Sequence, residues 1–172
     1  MFPKVLIPTD LSAASATVVE RIAEVPGVRE VILFHALRSS TGLSPADEET
    51  LQRMQETVQR QGYPAVVVVE DGRAGVPARI LQTATERDVD LIAMGVRDPG
   101  LLRNLFSGNV AATVLRDAHV HVLILPQSAR RGPPLGARLL VPTDLSDPAP
   151  EIRSLLRESD GEGMAVLLHV IE

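Results

Sequence analysis

Two kinds of hydrophobic pattern alternate along the chain. Short continuous apolar runs are typical of buried strands, whereas apolar residues three or four positions apart are typical of amphipathic helices. The third apolar run consists of alanine and valine alone, which predicts a strand covered on both faces. The runs that predict five strands are, in order, Lys4–Ile7, Val31–Phe34, Ala65–Val69, Leu91–Met94 and Val120–Leu125.

Segments with helical spacing fill the gaps between these runs. Ser12 and Ser44 stand where N-caps are expected, and Pro45 and Asp47 strengthen the second of these helix starts. Strands and helices that alternate through short connections predict a parallel sheet with helices on both faces. The positions predicted to face the core are Val18, Val19, Ile22, Ala23, Leu51, Met54, Val58, Val76, Ile80, Leu81, Ala84, Val110, Val114, Leu115 and Ala118.

The segment from Asp90 to Val114 joins a buried strand, a glycine-containing loop and a helix start. Gly95 is predicted to break the strand, and Gly108-Asn109 opens the helix. Unpaired amide groups at a helix N-terminus attract anions, and glycines let the backbone approach a ligand closely. A plain strand-to-helix turn explains the same spacing equally well. The polar and flexible residues within the loop are Arg97, Asp98, Pro99, Gly100 and Arg103.

A second chemically interesting loop, Pro8 to Ser12, leaves the first strand. In open parallel sheets, ligands bind beyond the carboxyl ends of the strands, at the point where the strand order reverses. If the first and fourth strands are neighbours, this loop and the loop after Gly95 face one crevice.

Composition narrows the classes of function. Aromatic residues make up 2% of the chain and the net charge is −5, which argues against a nucleic-acid-binding surface. The chain contains no cysteine, so disulfides and thiolate metal sites are excluded. No apolar run approaches the roughly 20 residues of a membrane span, and the N-terminus lacks a signal-peptide pattern. A cytoplasmic protein is expected.

The first strand and its loop recur after a polar segment. Lys4–Ser12 (KVLIPTDLS) matches Arg138–Ser146 (RLLVPTDLS), 134 residues later, and His35 matches His169 at the same spacing. The sequence therefore predicts a domain at residues 1–126, a linker at 127–136, and a truncated second copy at 137–172 with a strand, a helix and a strand. Either the chain is part of a longer tandem protein, or the short copy docks on its own domain or on a partner chain.

With these residues in view, the chain resembles the universal stress protein family. The resemblance rests on Ile7–Ser12, Gly75–Ala78 and Leu91–Gly95, and it covers residues 2–126 and 137–172. It implies an open five-stranded parallel sheet of order 3-2-1-4-5 in a Rossmann-like nucleotide-binding α/β fold. It also implies dimerisation, which we expect through Val120–Leu125, because a long apolar edge strand is a template for pairing.

Some members of this family bind ATP through a pattern of glycine, two residues, glycine, nine residues, glycine and a hydroxyl residue. Gly95 and Gly108 take the first and third glycine positions, but Asp98 replaces the second glycine and Asn109 replaces the hydroxyl residue. A carboxylate at Asp98 would repel a triphosphate. Asn109 still donates a hydrogen bond, and Gly100 supplies part of the lost flexibility.

The resemblance also implies roles for single residues. Asp10 would contact the base or ribose, Ala36 would contact adenine through its backbone, and Met94 and Gly95 would form the floor. Arg97 and Arg103 would neutralise phosphate charge. The cofactor is expected to be ATP or a related adenine nucleotide, with any Mg²⁺ held mainly by phosphates. The predicted binding residues are Pro8, Thr9, Asp10, Ala36, Met94, Gly95, Arg97, Gly100, Gly108, Asn109 and Val110.

Three functions compete at this point. The first is a nucleotide-binding stress or regulatory module with no strong turnover. The second is a dimeric interaction module of the same fold that has lost nucleotide binding, for which Asp98 is the best support. The third is an ATP-using enzyme, but the sequence offers no convincing general base, and no catalytic residue is predicted.

The histidines are predicted to have structural roles. His119 and His121 share one face of the fifth strand, so a dimer axis there would bring four imidazoles together, but no carboxylate or third ligand lies nearby. A half-exposed strand end explains the pair more simply, and no metal site is predicted. His35 and His169 follow apolar runs and are also expected to be structural.

Overall fold

The computed structural model describes residues 2–37, 42–73, 75–97 and 110–135 with their side chains, and the backbone of residues 138–142 and 164–168. The chain divides into two compact units, Phe2–Arg131 and Gly132–Glu172.

The first unit alternates strands and helices. Its strands form one parallel sheet in the order β3-β2-β1-β4-β5, which confirms the predicted order. The strands are β1 (Lys4–Thr9), β2 (Glu30–Leu37), β3 (Ala65–Asp71), β4 (Leu91–Val96) and β5 (His121–Pro126). The helices are α1 (Ala13–Arg21), which continues as a 3₁₀ turn (Ile22–Glu24), α2 (Pro45–Arg60), α3 (Val76–Glu86) and α4 (Val110–Asp117).

The helices cover both faces of the sheet. α1 contacts α2, and α3 contacts α4, so each face carries one pair. On the face of α3 and α4, strand residues such as Leu6, Ile32 and Ile92 pack against Ile80 and Val114. The alternate strand positions point the other way and are also buried, which explains why the central strands are continuously apolar.

Two helix starts follow the predicted capping chemistry. The Ser12 side chain accepts from the amide of Ser15 at the start of α1. The Ser44 hydroxyl accepts from the amide of Asp47 at 3.2 Å and also contacts its carboxylate at 2.7 Å, with Pro45 in the first turn of α2. These side chains satisfy amides that have no partner within the helix.

At their carboxyl ends, β1 and β4 extend beyond the apolar runs that predicted them. β1 continues through Pro8 and Thr9, and β4 continues through Gly95, which pairs with Leu125 of β5. The prediction that Gly95 breaks the strand is therefore wrong. A glycine lacks only a side chain, and the ladder formed by its backbone groups is unaffected.

Three predictions of burial are also wrong. Ala23, predicted to face the core, is exposed in the 3₁₀ turn after α1. β3 is an edge strand, and its Val66 and Val69 are 42% and 37% exposed, so it is not covered on both faces. Leu115 on α4 is 41% exposed, although its spacing placed it on the core face. In each case, exposure depends on whether a neighbouring element covers the residue. Hydrophobic periodicity along the chain does not reveal this.

The first five residues of the predicted linker lie in the first unit. Gln127–Arg131 forms a 3₁₀ turn against α1. Arg130 donates two hydrogen bonds of 2.6 Å to the Glu20 carboxylate, and Arg21 donates to the carbonyl oxygen of Ala129 at 2.6 Å. The compact unit that holds the five-stranded sheet therefore includes Gln127–Arg131.

The second unit contains a parallel pair of strands, β6 (Arg138–Pro142) and β7 (Met164–Leu168). Their register, Arg138 opposite Met164 through Pro142 opposite Leu168, repeats the register of Lys4 opposite Glu30 through Pro8 opposite Phe34, shifted by 134 residues. The helix predicted between these strands lies outside the described residues.

Candidate functional site

A cleft opens at the carboxyl ends of β1, β2 and β4. The chain passes from β1 to β2 and β3 on one side, then returns to place β4 on the other side of β1, so the strand order reverses there. This is the position where open α/β sheets bind ligands. The cleft has a volume of about 200 Å³ and is lined by Pro8, Thr9, Asp10, Ser15, Phe34, His35, Ala36, Val76, Ile80, Met94, Gly95, Val110 and Ala111.

The turn from β1 into α1 has a tightly bonded backbone. Leu11 has a positive φ of 63°, which is unusual for a residue with a branched side chain. Its amide donates to Thr9 Oγ1 at 2.9 Å, and the amide of Ser12 donates to Asp10 Oδ1 at 3.1 Å. These two bonds hold the strained turn and fix Asp10 at the cleft.

Two buried hydroxyl groups lie behind Asp10. Thr9 and Ser15 are buried, and Thr9 Oγ1 lies 2.9 Å from Ser15 Oγ. Ser15 Oγ lies 2.9 Å from the carbonyl oxygen of Ser12 and 3.4 Å from Asp10 Oδ1. Thr9 Oγ1 also lies 3.5 Å from Met54 Sδ on α2, so the cleft wall contains a short chain of hydroxyls that joins the β1–α1 turn to α2.

The two oxygens of Asp10 have different environments. Oδ1 accepts a hydrogen bond from the backbone amide of Ser12 and lies 3.4 Å from Ser15 Oγ. Oδ2 lies 3.4 Å from a guanidinium nitrogen of Arg97. Partial burial is the largest single influence and raises the pKa of Asp10, but hydrogen bonds from Ser12 and the charge of Arg97 together hold that pKa below its usual value. Asp10 is therefore an ionised acceptor at neutral pH.

Gly95 brings the backbone of β4 against α1. A Cβ at this position would lie 2.1 Å from the carbonyl oxygen of Ala14 and 2.6 Å from the amide nitrogen of Ser15. Only glycine permits this approach. The absence of a side chain thus has a packing reason that is independent of any phosphate.

His35 supports the cleft from β2. Its Nδ1 lies 2.9 Å from the carbonyl oxygen of Thr9. Since a carbonyl oxygen can only accept, Nδ1 carries the hydrogen and donates it. This bond ties the ends of β1 and β2 together next to Asp10, which is a structural role.

Part of the cleft lining is apolar. Phe34, Ile80 and Met94 line it and are buried, and Val76, Val110 and Ala111 complete this wall. The polar side chains of the lining are Thr9, Asp10, Ser15 and His35. An apolar slot beside a carboxylate suits a flat ring joined to a polar group that donates hydrogen bonds.

The structure brings together seven of the residues that the sequence proposes. Arg97 is not part of the lining and contacts the site through Asp10. Gly100, Gly108 and Asn109 lie outside the described residues, as do Asp98 and Arg103. The seven proposed residues in the lining are Pro8, Thr9, Asp10, Ala36, Met94, Gly95 and Val110.

Sequence reasoning did not place several lining residues at the site. Ser15 lies one turn into α1, and Val76 and Ile80 were assigned to the core face of α3. The positions of Phe34 and His35 just before Ala36, at the end of an apolar run, were a usable signal. No sequence signal indicated that α3 lines the cleft, because the residues of a helix do not show which strand ends the helix will cover.

Within the described part of the chain, no group of three metal-ligating side chains occurs. His121 packs edge-on against Phe2, with ring centroids 5.2 Å apart.

No helix among the described residues is both long and apolar enough to cross a membrane. The cytoplasmic location stays a prediction.

Comparison with known proteins gives the family. The model of the universal stress protein family matches residues 1–126. The chain belongs to the universal stress protein family. Among curated proteins, no sequence matches the chain.

Solved structures of universal stress proteins share the fold. The protein from Archaeoglobus fulgidus DSM 4304 is 26% identical, with a TM-score of 0.72 over 98% of this chain and 66% of its own. An A. fulgidus universal stress protein in complex with dAMP is 23% identical, with a TM-score of 0.54 over 72% of this chain and 97% of its own. An Arabidopsis thaliana family member with AMP bound is 17% identical, with a TM-score of 0.55 over 76% of this chain and 95% of its own.

Proposed function

We propose that this universal stress protein binds an adenine nucleotide in the cleft at the ends of β1, β2 and β4, in a regulatory role without efficient turnover. The observation that carries the proposal is the cleft itself, in which an apolar slot and the ionised Asp10 lie side by side at the reversal of strand order. The bound dAMP and AMP of two relatives support an adenine nucleotide as the occupant.

The parts of the cleft suit the parts of a nucleoside. The adenine ring would lie against the half-buried Val76, Val110 and Ala111, where its burial removes apolar surface from water. Asp10 belongs to the polar part of the lining and would accept hydrogen bonds from ribose hydroxyls. A volume of about 200 Å³ is small for a ligand site, and it suits a base and sugar better than a whole triphosphate.

ATP is the proposed physiological ligand, with any Mg²⁺ held mainly by its phosphates. The phosphates would extend from the ribose toward the loop after β4, and Arg97 at the end of that strand would contribute positive charge. Gly100, Gly108 and Asn109 are proposed to contact phosphate on the basis of their positions in the sequence.

Binding without efficient hydrolysis follows from the groups at the cleft. The pKa of Asp10 lies below its usual range, which makes it a weak general base near neutral pH. Nδ1 of His35 is occupied by the carbonyl oxygen of Thr9. Sustained ATP hydrolysis that is lost in Asp10→Asn would contradict this part of the proposal.

The first experiment asks whether the purified protein carries a nucleotide, by acid extraction and chromatography. The second is calorimetric titration with ATP and AMP, with and without magnesium. Asp10→Ala should weaken nucleotide binding by roughly ten- to a hundredfold, the scale of a hydrogen bond to a charged group.

Asp117→Ala is the matched control for this titration. Asp117 is 43% exposed and Asp10 44% exposed, and each pairs with one arginine, but Asp117 lies at the end of α4 and does not line the cleft. Its substitution should leave binding unchanged. No heat with either nucleotide at millimolar concentration, together with no extracted nucleotide, would remove the proposed function and favour the interaction module.

We also propose that the protein forms a homodimer through β5. β5 is an edge strand of the sheet, and its Val122, Leu123 and Ile124 are half-buried within the chain. A second copy would cover these side chains and pair the free backbone groups of the edge.

A tandem second copy is proposed for the C-terminal unit. The register of β6 with β7 repeats that of β1 with β2 at every one of the five paired positions. The A. fulgidus relative matches 98% of this chain while the match spans 66% of that relative, so the likeness extends past the first domain. Rapid proteolysis of everything after Arg131 would contradict the idea that the short copy docks on its own domain.

A further inference from the structure

We propose that Asp10 and Arg97 form an exchangeable ion pair that makes the cleft select phosphorylated nucleosides over free nucleosides. The inference rests on the proposed nucleotide site and adds a criterion of selection to it. The two side chains come from the ends of neighbouring strands, β1 and β4, on either side of the reversal in strand order.

The carboxylate of Asp10 is held by one oxygen. Oδ1 accepts from the amide of Ser12 at 3.1 Å and lies 3.4 Å from Ser15 Oγ. Ser12 is the N-cap of α1, and the buried Ser15 lies in its first turn. The carboxylate can therefore change its partner at Oδ2 without moving.

The pair at Oδ2 is weak. The distance from Arg97 to Oδ2 is 3.4 Å, and the side chains of Arg97 and Asp10 are 71% and 44% exposed. An exposed pair at this distance contributes little, because water screens it and a long side chain must be ordered to form it. A ligand group with better geometry can replace it.

The position of the pair links a hydroxyl site to a phosphate site. Asp10 lines the cleft. Gly95 of β4 also lines it, and Arg97 lies two residues later, just past the end of that strand. A ribose hydroxyl in the cleft donates to Oδ2 of Asp10, and a phosphate on the same sugar meets the displaced guanidinium. Arginine binds phosphate with two parallel hydrogen bonds, which compensates for the lost pair.

A free nucleoside makes only half of this exchange. Its hydroxyl competes with Arg97 for Oδ2 of Asp10, but a free nucleoside has no phosphate to accept hydrogen bonds from the displaced guanidinium. Arg97 therefore opposes adenosine and favours AMP and ATP. Opposite effects of one substitution on two ligands that differ by a phosphate distinguish this role from a structural one.

The test is calorimetric titration of the full chain and of Arg97→Gln with adenosine, AMP and ATP. Arg97→Gln should bind adenosine more tightly, by up to about fivefold, since it removes a surface ion pair that competes for Oδ2. The same variant should bind AMP and ATP roughly five- to tenfold more weakly, because a screened charged hydrogen bond to phosphate is lost. Arg97→Lys keeps the charge and should retain the preference for phosphate in reduced form.

Arg116→Gln is the matched control, because Arg116 is also 71% exposed and pairs with one aspartate, at the far end of α4. Arg116→Gln should leave both the adenosine affinity and the AMP and ATP affinities unchanged. In an Asp10→Asn background, Arg97→Gln should no longer improve adenosine binding, since the charged competitor pair is already gone.

The outcomes separate the two proposals. If the protein binds AMP or ATP and Arg97→Gln changes adenosine and nucleotide affinities in the same direction, or changes neither, the exchange is wrong and the nucleotide site stands. If the unaltered protein and Arg97→Gln bind none of the three ligands, the proposed function and the exchange fall together.

Discussion

The carbonyl oxygen of Ala14 occupies the space that a side chain on Gly95 would need, since a Cβ there would lie 2.1 Å from it. The obstacle is backbone on both sides, so no rotamer change can relieve it. We expect Gly95→Ala to lower the free energy of unfolding by about 3 kcal/mol or more, the upper end of overpacking effects. Urea denaturation followed by circular dichroism measures this loss.

Gly62→Ala separates this clash from the conformational preference of glycine. Gly62 has a φ of 91°, but a Cβ there meets nothing within 4 Å. Its substitution should cost about 1 kcal/mol, from the left-handed backbone alone. Equal losses at the two glycines would show that α1 can move away from β4 at little cost.

Arg21 should contribute more to stability than Arg130, although both hold the turn Gln127–Arg131. Arg21 is 6% exposed and bonds to Glu24 through Nε at 2.8 Å and to the carbonyl oxygen of Ala129. Arg21→Gln leaves these acceptors poorly satisfied and should cost about 1–2 kcal/mol. Arg130 is 58% exposed, so Arg130→Gln should lower the free energy of unfolding less than Arg21→Gln does, despite its two short bonds to Glu20. Thermal unfolding of the two variants gives the comparison, and a larger loss at Arg130 would overturn it.

The carboxyl group of Asp71 should titrate well below the ordinary value of an aspartate. Hydrogen bonds from the side chain and backbone of Arg73 are the main cause and lower the pKa of Asp71 to about 2. The interaction therefore stabilises the folded state above the ordinary value near 3.8 and is lost as pH falls toward about 2. The pair is exposed at the surface, so its share of total stability is small.

Carbon-13 NMR titration of the side-chain carboxyl measures this directly. Arg73→Gln should return the pKa of Asp71 toward its ordinary value, whereas Arg116→Gln, a distant arginine of the same kind, should leave it unchanged. A midpoint for Asp71 near 4 in the unaltered protein would contradict the geometry of the pair.

The proposed dimer gives a prediction for the two edges of the sheet. Leu123 on β5 alternates with Val122 and Ile124, which pack against the core on the face of α3 and α4. Leu123→Lys places a charge on the edge that we propose to be covered, and it should convert dimer to monomer in light scattering at micromolar concentration. Val66→Lys, at an exposed position of the opposite edge strand β3, should leave the mass unchanged. A monomer in the unaltered protein would remove the proposal.

Local chemistry explains the parts of the fold that the sequence predicted well. The hydroxyls of Ser12 and Ser44 cap helices through bonds to amides three residues away, and such contacts are fully specified by neighbouring residues. The order of the strands was implied by the family resemblance and is confirmed. The strand ends were placed too early in β1 and β4, because backbone pairing continues through residues that interrupt an apolar run.

The exposed Val66 and Leu115 show where periodicity stops being informative. Both are apolar residues in regular elements, and the pattern around them does not differ from that of buried neighbours. Their exposure depends on whether another element covers them. That property belongs to the assembled sheet and not to the segment.

By itself, the sequence determined the alternation of strands and helices, the capped helix starts, the repeat of the first strand and loop, and most of the residues that gather at the cleft. Tertiary structure alone decided that Gly95 lies against Ala14, that His35 holds the end of β1, and that the two oxygens of Asp10 have different partners. The physical reason is how far apart along the chain the contacting residues lie. Periodicity and capping depend on residues a few positions apart, whereas these contacts join residues tens of positions apart that meet only when β1 pairs with β2 on one side and β4 on the other.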